Sequence, residues 1–200
     1  MTLTLDPRAT ALVIIDLQKG IIARETAPHS TRQVVDNCAR IGKQCEAAGA
    51  LIVLVHVAFA ANGADRLAQA VDATMPAPAG GTPPDWAELV PEIGALRSDV
   101  VITKRQWGAF HGTELDLQLR RREIDTIVLG GIATNFGVES TAREAWQYGY
   151  SVVVAQDACT SMSADMHAFS VEKILPRVSR VRSTDEVVAA LAPASGLRGA

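Results

Sequence analysis

Asp16, His56, Lys104, the stretch Gly130–Gly137 and Asp157 each stand at or just past the end of a short apolar run. Together they offer an acid, an ammonium and a glycine-containing turn. A lysine buried beside a carboxylate is a proton-transfer arrangement, because the ammonium either holds the acid ionised or shares its proton. Arginine would stay charged in the same place. The chain has four lysines against fifteen arginines, which makes Lys104 at a strand end informative. Asp16 fits either the acid of such a pair or a cap for the turn that follows it. Between Gly130 and Ala142, Thr134 or Asn135 is the expected N-cap of a helix, and Glu139 complements its dipole. Gly137 then falls in the first helical turn, where glycine costs about 1 kcal/mol relative to alanine. A ligand approaching the backbone accounts for that cost, with first-turn amides facing a developing negative charge. Close packing is the competing reason for Gly137.

Other chemistries lack their residues. No G-x-G-x-x-G, P-loop or G-x-S-x-G follows an apolar run, so nucleotide binding and a serine elbow have no support. His29, His56, His111 and His167 are scattered without metal-ligand spacing, and neither a metal nor another cofactor is expected. Cys38 and Cys45 share a helical stripe and read as core. Cys159, just past Asp157, is the thiol nearest the strand ends, but no histidine stands beside it in sequence.

The elements that must position these residues alternate. The apolar runs Ala11–Ile15, Leu51–Val57, Val100–Ile102, Ile124–Leu129, Val152–Ala155 and Val178–Val181 read as parallel strands buried on both faces. Val34, Cys38, Ile41, Cys45 and Ala48 form a helical stripe stopped by Gly49; a second helix starts at Leu115, and a third covers Val138–Tyr148 before Gly149. Such alternation predicts an α/β fold with right-handed crossovers, its ligands bound at the carboxyl ends of the strands. Ala73–Pro84, rich in proline and glycine, cannot be a regular element and is a candidate lid, oligomer contact or plain surface loop.

Composition fits one domain spanning residues 1–200, 48% apolar and long enough to bury roughly 70% of its unfolded surface. A net charge of −3 without a basic patch argues against nucleic acid and anionic membranes as partners. The three cysteines and the lack of a signal-like or membrane-length apolar run point to the cytoplasm.

The ordered motifs also resemble a known family. Asp16-Leu17-Gln18, Lys104 followed by Gly108-Ala109-Phe110 and Gly112-Thr113-x-Leu115, the block Gly131-Ile132-Ala133-Thr134 through Thr141-Ala142-Arg143, then Gly149-Tyr150 and Asp157-Ala158, are similar to the isochorismatase-like hydrolase superfamily across nearly the whole chain. The resemblance implies a three-layer α/β/α, Rossmann-like parallel sheet of about six strands in order 3-2-1-4-5-6. It implies a homo-oligomer, dimer or tetramer, acting on a small-molecule substrate. Most members are cysteine amidohydrolases with an Asp, Lys and Cys triad, among them nicotinamidases and carbamoylsarcosine amidohydrolases. Carried over, the Asp is Asp16, the Lys is Lys104 and the Cys position is Gly137, so the chain looks like a bacterial subgroup with glycine in place of the nucleophile. True isochorismatases are similar in this; they hydrolyse a vinyl ether and need a proton donor instead of a thiolate. The resemblance further implies a non-proline cis bond at Ile132–Ala133 and an oxyanion hole from the amides of Ala133 and Gly137. The Asp-x-His metal ligands of nicotinamidases are absent after His56.

The expected chemistry is therefore hydrolysis without a covalent thioester. Asp16 protonates the substrate, Lys104 sets its acidity, and water attacks. Trp107 and Phe110 are expected to wall the pocket, with Gln18, His56 and Asn135 as polar contacts. Two alternatives stand beside it: a ligand-binding pseudoenzyme that lost the nucleophile, and an amidohydrolase using another nucleophile, Cys159.

Overall fold

The computed structural model of the protein describes residues 2–74 and 81–192. Pro76, Pro78 and Gly80 of the proline-rich stretch lie outside the described residues. Six strands form one parallel sheet: β1 (Thr10–Ile15), β2 (Leu51–Val57), β3 (Val100–Lys104), β4 (Thr126–Ile132), β5 (Ser151–Thr160) and β6 (Arg180–Arg182), in the spatial order β3-β2-β1-β4-β5-β6. The expected order is the observed one. The helices are α1 (Lys19–Ile22), α2 (Thr31–Ala48), α3 (Pro91–Gly94), α4 (Leu115–Arg120), α5 (Glu139–Gln147), α6 (Ala164–Phe169) and α7 (Thr184–Leu191). None of the described helices is long and apolar enough to cross a membrane.

Side-chain alternation along the strands divides the core in two. Leu12, Ile14, Ile52, Leu54, Val128 and Val153 pack on one face with Val34, Cys38 and Ile41 of α2, Ile93 of α3 and Val187 of α7. Ala11, Val13, Ile15, Val53, Val55, Ile127 and Leu129 face the other way, toward Leu115 and Leu119 of α4 and Ala142 and Ala145 of α5. A strand covered on both faces must be apolar throughout, which explains the unbroken run in β1. The α2 helix is held at its start by Ser30, whose hydroxyl accepts the Gln33 amide, and stopped by Gly49 at φ 78°.

Four strands depart from the reading of the sequence; the last, β6, is a short edge strand over Arg180–Arg182 and not the buried run Val178–Val181, whose Val178 ends the turn before it. β3 is an edge strand, so Val101 is exposed while Val100, Ile102 and Lys104 are buried; the strand runs through Lys104 instead of ending before it. β4 continues through Gly130 and Gly131 to Ile132. β5 is ten residues long and carries a bulge: Leu129 pairs with Val154, but Gly131 pairs with Cys159.

Candidate active site

Asp16 follows the last residue of β1. Its amide donates to the Val55 carbonyl of β2 at 2.9 Å, and its φ of 53° places it in the left-handed region, which costs a residue with a side chain about 1 kcal/mol or more. Lys104 closes β3, two strands away in the sheet. Their side chains meet: Lys104 Nζ donates to Asp16 Oδ2 at 2.7 Å, and the two side chains are only 2% and 8% exposed. Lys104 Nζ also donates to the carbonyls of Gln106 (3.0 Å) and Trp107 (2.9 Å). Three acceptors around one nitrogen use all three hydrogens of an ammonium, and a neutral amine has only two. Lys104 is thus built as a fixed cation.

Asp16 is built differently. Its Oδ1 is buried and accepts no hydrogen bond from any described group. Burial raises its pKa from the ordinary 3.8 to about 6, against the opposing pull of the Lys104 charge and hydrogen bond and a smaller one from His56. Since Oδ2 accepts from the ammonium, the proton of the neutral acid belongs on Oδ1.

That placement has a consequence for stability. Between pH 3.8 and about 6 the folded chain holds a proton on Asp16 that the unfolded chain has released, so stability falls as pH rises through that window. At roughly 1.4 kcal/mol per pH unit of displacement, the cost above pH 6 is of order 3 kcal/mol. Urea unfolding of the protein and its Asp16→Asn variant from pH 4 to 8 should show the wild type losing about that much relative to the variant; a difference independent of pH would refute the assignment.

The third component follows β4. The Ile132–Ala133 peptide is cis, and Thr134–Val138 form a single wide π-turn entering α5, with the Ala133 carbonyl accepting the amides of Phe136 (3.1 Å) and Val138 (3.2 Å). Gly137 sits against the pair: a Cβ built on it would lie 3.4 Å from Asp16 Oδ2, 3.5 Å from the Trp107 carbonyl and 2.9 Å from Ile15 Cγ2. An acid, a cation and a glycine from three strand ends therefore share one spot.

The other expected residues divide. Trp107 is 55% exposed, and its ring packs on Phe136 at 4.8 Å beside Gly137. His56 lies close enough to influence Asp16, yet its ring nitrogens are engaged by the Ala87 carbonyl and the Thr103 hydroxyl, both at 2.8 Å. Gln18 is fully buried and does not face a ligand: its amide nitrogen donates to the Val57 and Trp86 carbonyls, and its oxygen accepts the Val57 amide. Phe110 is in the core beside Tyr150, with the ring of the exposed Tyr148 stacked on it, and does not wall the site. Asn135 accepts a hydrogen bond from the Ser161 hydroxyl, and Thr134 Oγ1 pairs with His167 Nδ1 at 2.8 Å, so neither side chain caps the turn. Asp157 is carried by the β5 bulge to α7, where Oδ1 accepts the Thr184 amide (2.7 Å) and hydroxyl (2.8 Å). Cys159 is fully buried, and burial pushes its thiol to about 12, which removes the thiolate a nucleophile requires. Among the described residues no three His, Cys, Asp or Glu side chains gather as metal ligands would.

Sequence reasoning overlooked the segment Asp85–Val90. It crosses the end of β1 and is fixed there by Gln18, by a Gly20 amide bond to the Trp86 carbonyl (3.0 Å) and by Lys19 Nζ bonds to Asp85 (3.0 Å) and Glu88 (2.7 Å). Partners almost seventy residues apart left no local signal.

Comparison with known proteins bears on the family and the fold. Residues 10–186 match the model of the isochorismatase domain. The chain is 49% identical over 189 residues to the uncharacterized isochorismatase family protein YecD of Escherichia coli O157:H7, covering 94% of this chain and 100% of that one. It is 50% identical over 185 residues to the uncharacterized isochorismatase family protein YwoC of Bacillus subtilis strain 168, covering 92% and 95%. A solved isochorismatase family protein from Burkholderia thailandensis superposes with a TM-score of 0.89 at 42% identity, covering 96% of this chain and 100% of that one. A domain match over most of the chain and relatives about half identical along nearly their whole length show that the chain belongs to the isochorismatase family.

Proposed function

We propose that the protein is a hydrolase of a small metabolite that works by proton transfer and water, with no covalent intermediate. The observation that carries this reading is the unpartnered Asp16 Oδ1, next to a position, Gly137, that offers no nucleophilic side chain. Asp16, neutral up to about pH 6, donates its Oδ1 proton to the substrate, and the fixed charge of Lys104 stabilises the carboxylate left behind. An enol ether suits this equipment. Protonation of its terminal carbon gives an oxocarbenium ion, and water adds to that cation. The resulting hemiketal loses the alcohol, leaving a ketone, and the proton returns to Asp16. In this scheme the charge that develops on the ether oxygen is positive, so the amides of Ala133 and Gly137 instead hold a carboxylate or carbonyl oxygen elsewhere on the substrate, and Trp107 with Phe136 forms the apolar side of the site.

The test is a turnover screen of isochorismate, other enol ethers, small amides and ureides, with intact-mass analysis under turnover. Enol-ether hydrolysis with an unmodified protein mass is the expected result, and Lys104→Ala should lower the rate about 100-fold or more. A covalent adduct would overturn the proposal, as would tight binding of these compounds without turnover.

A further inference from the structure

Two carbonyls, those of Gln106 and Trp107, complete the shell of Lys104, so the loop that carries them sets where the ammonium stands. What sets the loop is α5. Glu144 Oε2 accepts the Phe110 amide at 3.0 Å, and Thr141 Oγ1 accepts the Ala109 amide at 3.2 Å. The same Thr141 hydroxyl donates to the Gly137 carbonyl at 2.7 Å, joining the loop to the turn over Asp16. Thr141 and Ala109 are fully buried. Gly108 completes the fit, because a Cβ there would overlap the Glu144 carboxylate. Gln106 braces the loop from within through the Gly108 (3.1 Å) and His111 (2.6 Å) carbonyls.

We propose that Glu144 and Thr141 are positioning residues, a clamp on Gly108–Phe110 that holds Lys104 at bonding distance from Asp16. The inference rests on the reading of Asp16 and Lys104 as the acid and its cation. Glu144 acts on Asp16 through the position of the loop, and its own charge is not among those that bear on Asp16. The groups whose charge bears on Asp16 are Lys104 on β3 and His56 on β2. Loosening the clamp therefore weakens the Lys104 contact and makes Asp16 harder to ionise.

The experiment needs no substrate. The chain is labelled with carbon-13 at the aspartate side-chain carboxyls, and Asp16 is assigned by the signal lost in Asp16→Asn. In Glu144→Ala the Asp16 midpoint should rise by about 1 pH unit. Glu144→Gln, which keeps an oxygen at the same reach, should leave it in place. Gly108→Ala should mimic Glu144→Ala, and combining the two should add little, as expected of partners in one contact. A folded Glu144→Ala with an unmoved midpoint overturns the clamp, and so does Glu144→Gln moving as far as Glu144→Ala. Should Glu144→Ala not fold, Glu144→Asp keeps the charge and withdraws the oxygen, and an unmoved midpoint there is equally fatal. If the midpoint shifts while the turnover screen finds no hydrolysis, the clamp stands and the reaction assignment falls. A wild-type midpoint near that of a free carboxylate would instead undo the reading of the site itself.

Discussion

Asp16→Asn should reduce hydrolysis at least 1,000-fold while the chain still folds. The amide keeps the shape of the carboxyl, and its oxygen still accepts from Lys104 Nζ, so the 2.7 Å contact and its two carbonyl companions survive. What disappears is the proton. General acid catalysis contributes about 10²–10⁴ in rate, and with no side chain at position 137 to open a covalent route, the loss should lie toward the upper end. Initial rates on the substrate found by the turnover screen, read beside near-native circular dichroism, check this. Activity within tenfold of wild type would remove Asp16 from the mechanism. Activity lost together with the fold would leave the variant uninformative about the proton, which is why the two measurements belong together.

Gly131→Ala should prevent folding or cost about 4 kcal/mol or more. Gly131 lies inside β4 with a φ of 126°, a conformation open to glycine and strained for alanine. It pairs with Ile15, and a Cβ would overlap the Ile15 carbonyl oxygen and stand 2.7 Å from the Ile15 nitrogen. Backbone is on the other side of that clash, so no rotamer change relieves it. Strain of 1–3 kcal/mol from the dihedral adds to a similar overpacking cost, most of what a domain this size has in hand. The soluble yield and the urea midpoint measure it. A variant within 1 kcal/mol of wild type would mean that β1 and β4 can part at their carboxyl ends, where the candidate site is built.

Much of this site was readable from one-dimensional pattern. Parallel strands buried on both faces announce themselves as unbroken apolar runs, and the polar residue that ends such a run must emerge at the sheet's carboxyl edge. Asp16 stands out that way; Lys104 follows a run that reads the same but proves to be an edge strand open on one face, which the lysine itself closes. Where pattern failed, a tertiary detail intervened. The bulge in β5 hides three extra residues inside what looks like the end of a strand, and it sends Asp157 to Thr184 at the start of α7. Phe110 looked like a pocket wall because it follows Lys104 closely, but the Glu144 bond turns that stretch of loop into the core. Gln18 looked free because nothing in sequence announces that Val57 and Trp86 will present backbone to it. Thr141 and Glu144 did carry a signal: four and seven residues after Gly137, they recur at helical spacing on α5.

The tight seat of Gly137 bears on which side chains position 137 can accept. A β-carbon at that point would come 2.9 Å from the Cγ2 methyl of Ile15, a residue locked in the sheet interior. Trading glycine for cysteine would therefore displace a core neighbour as well as add sulfur. A single codon change would meet resistance from packing before any thiol chemistry began. Any side chain at position 137 thus requires Ile15 to shift within the sheet interior.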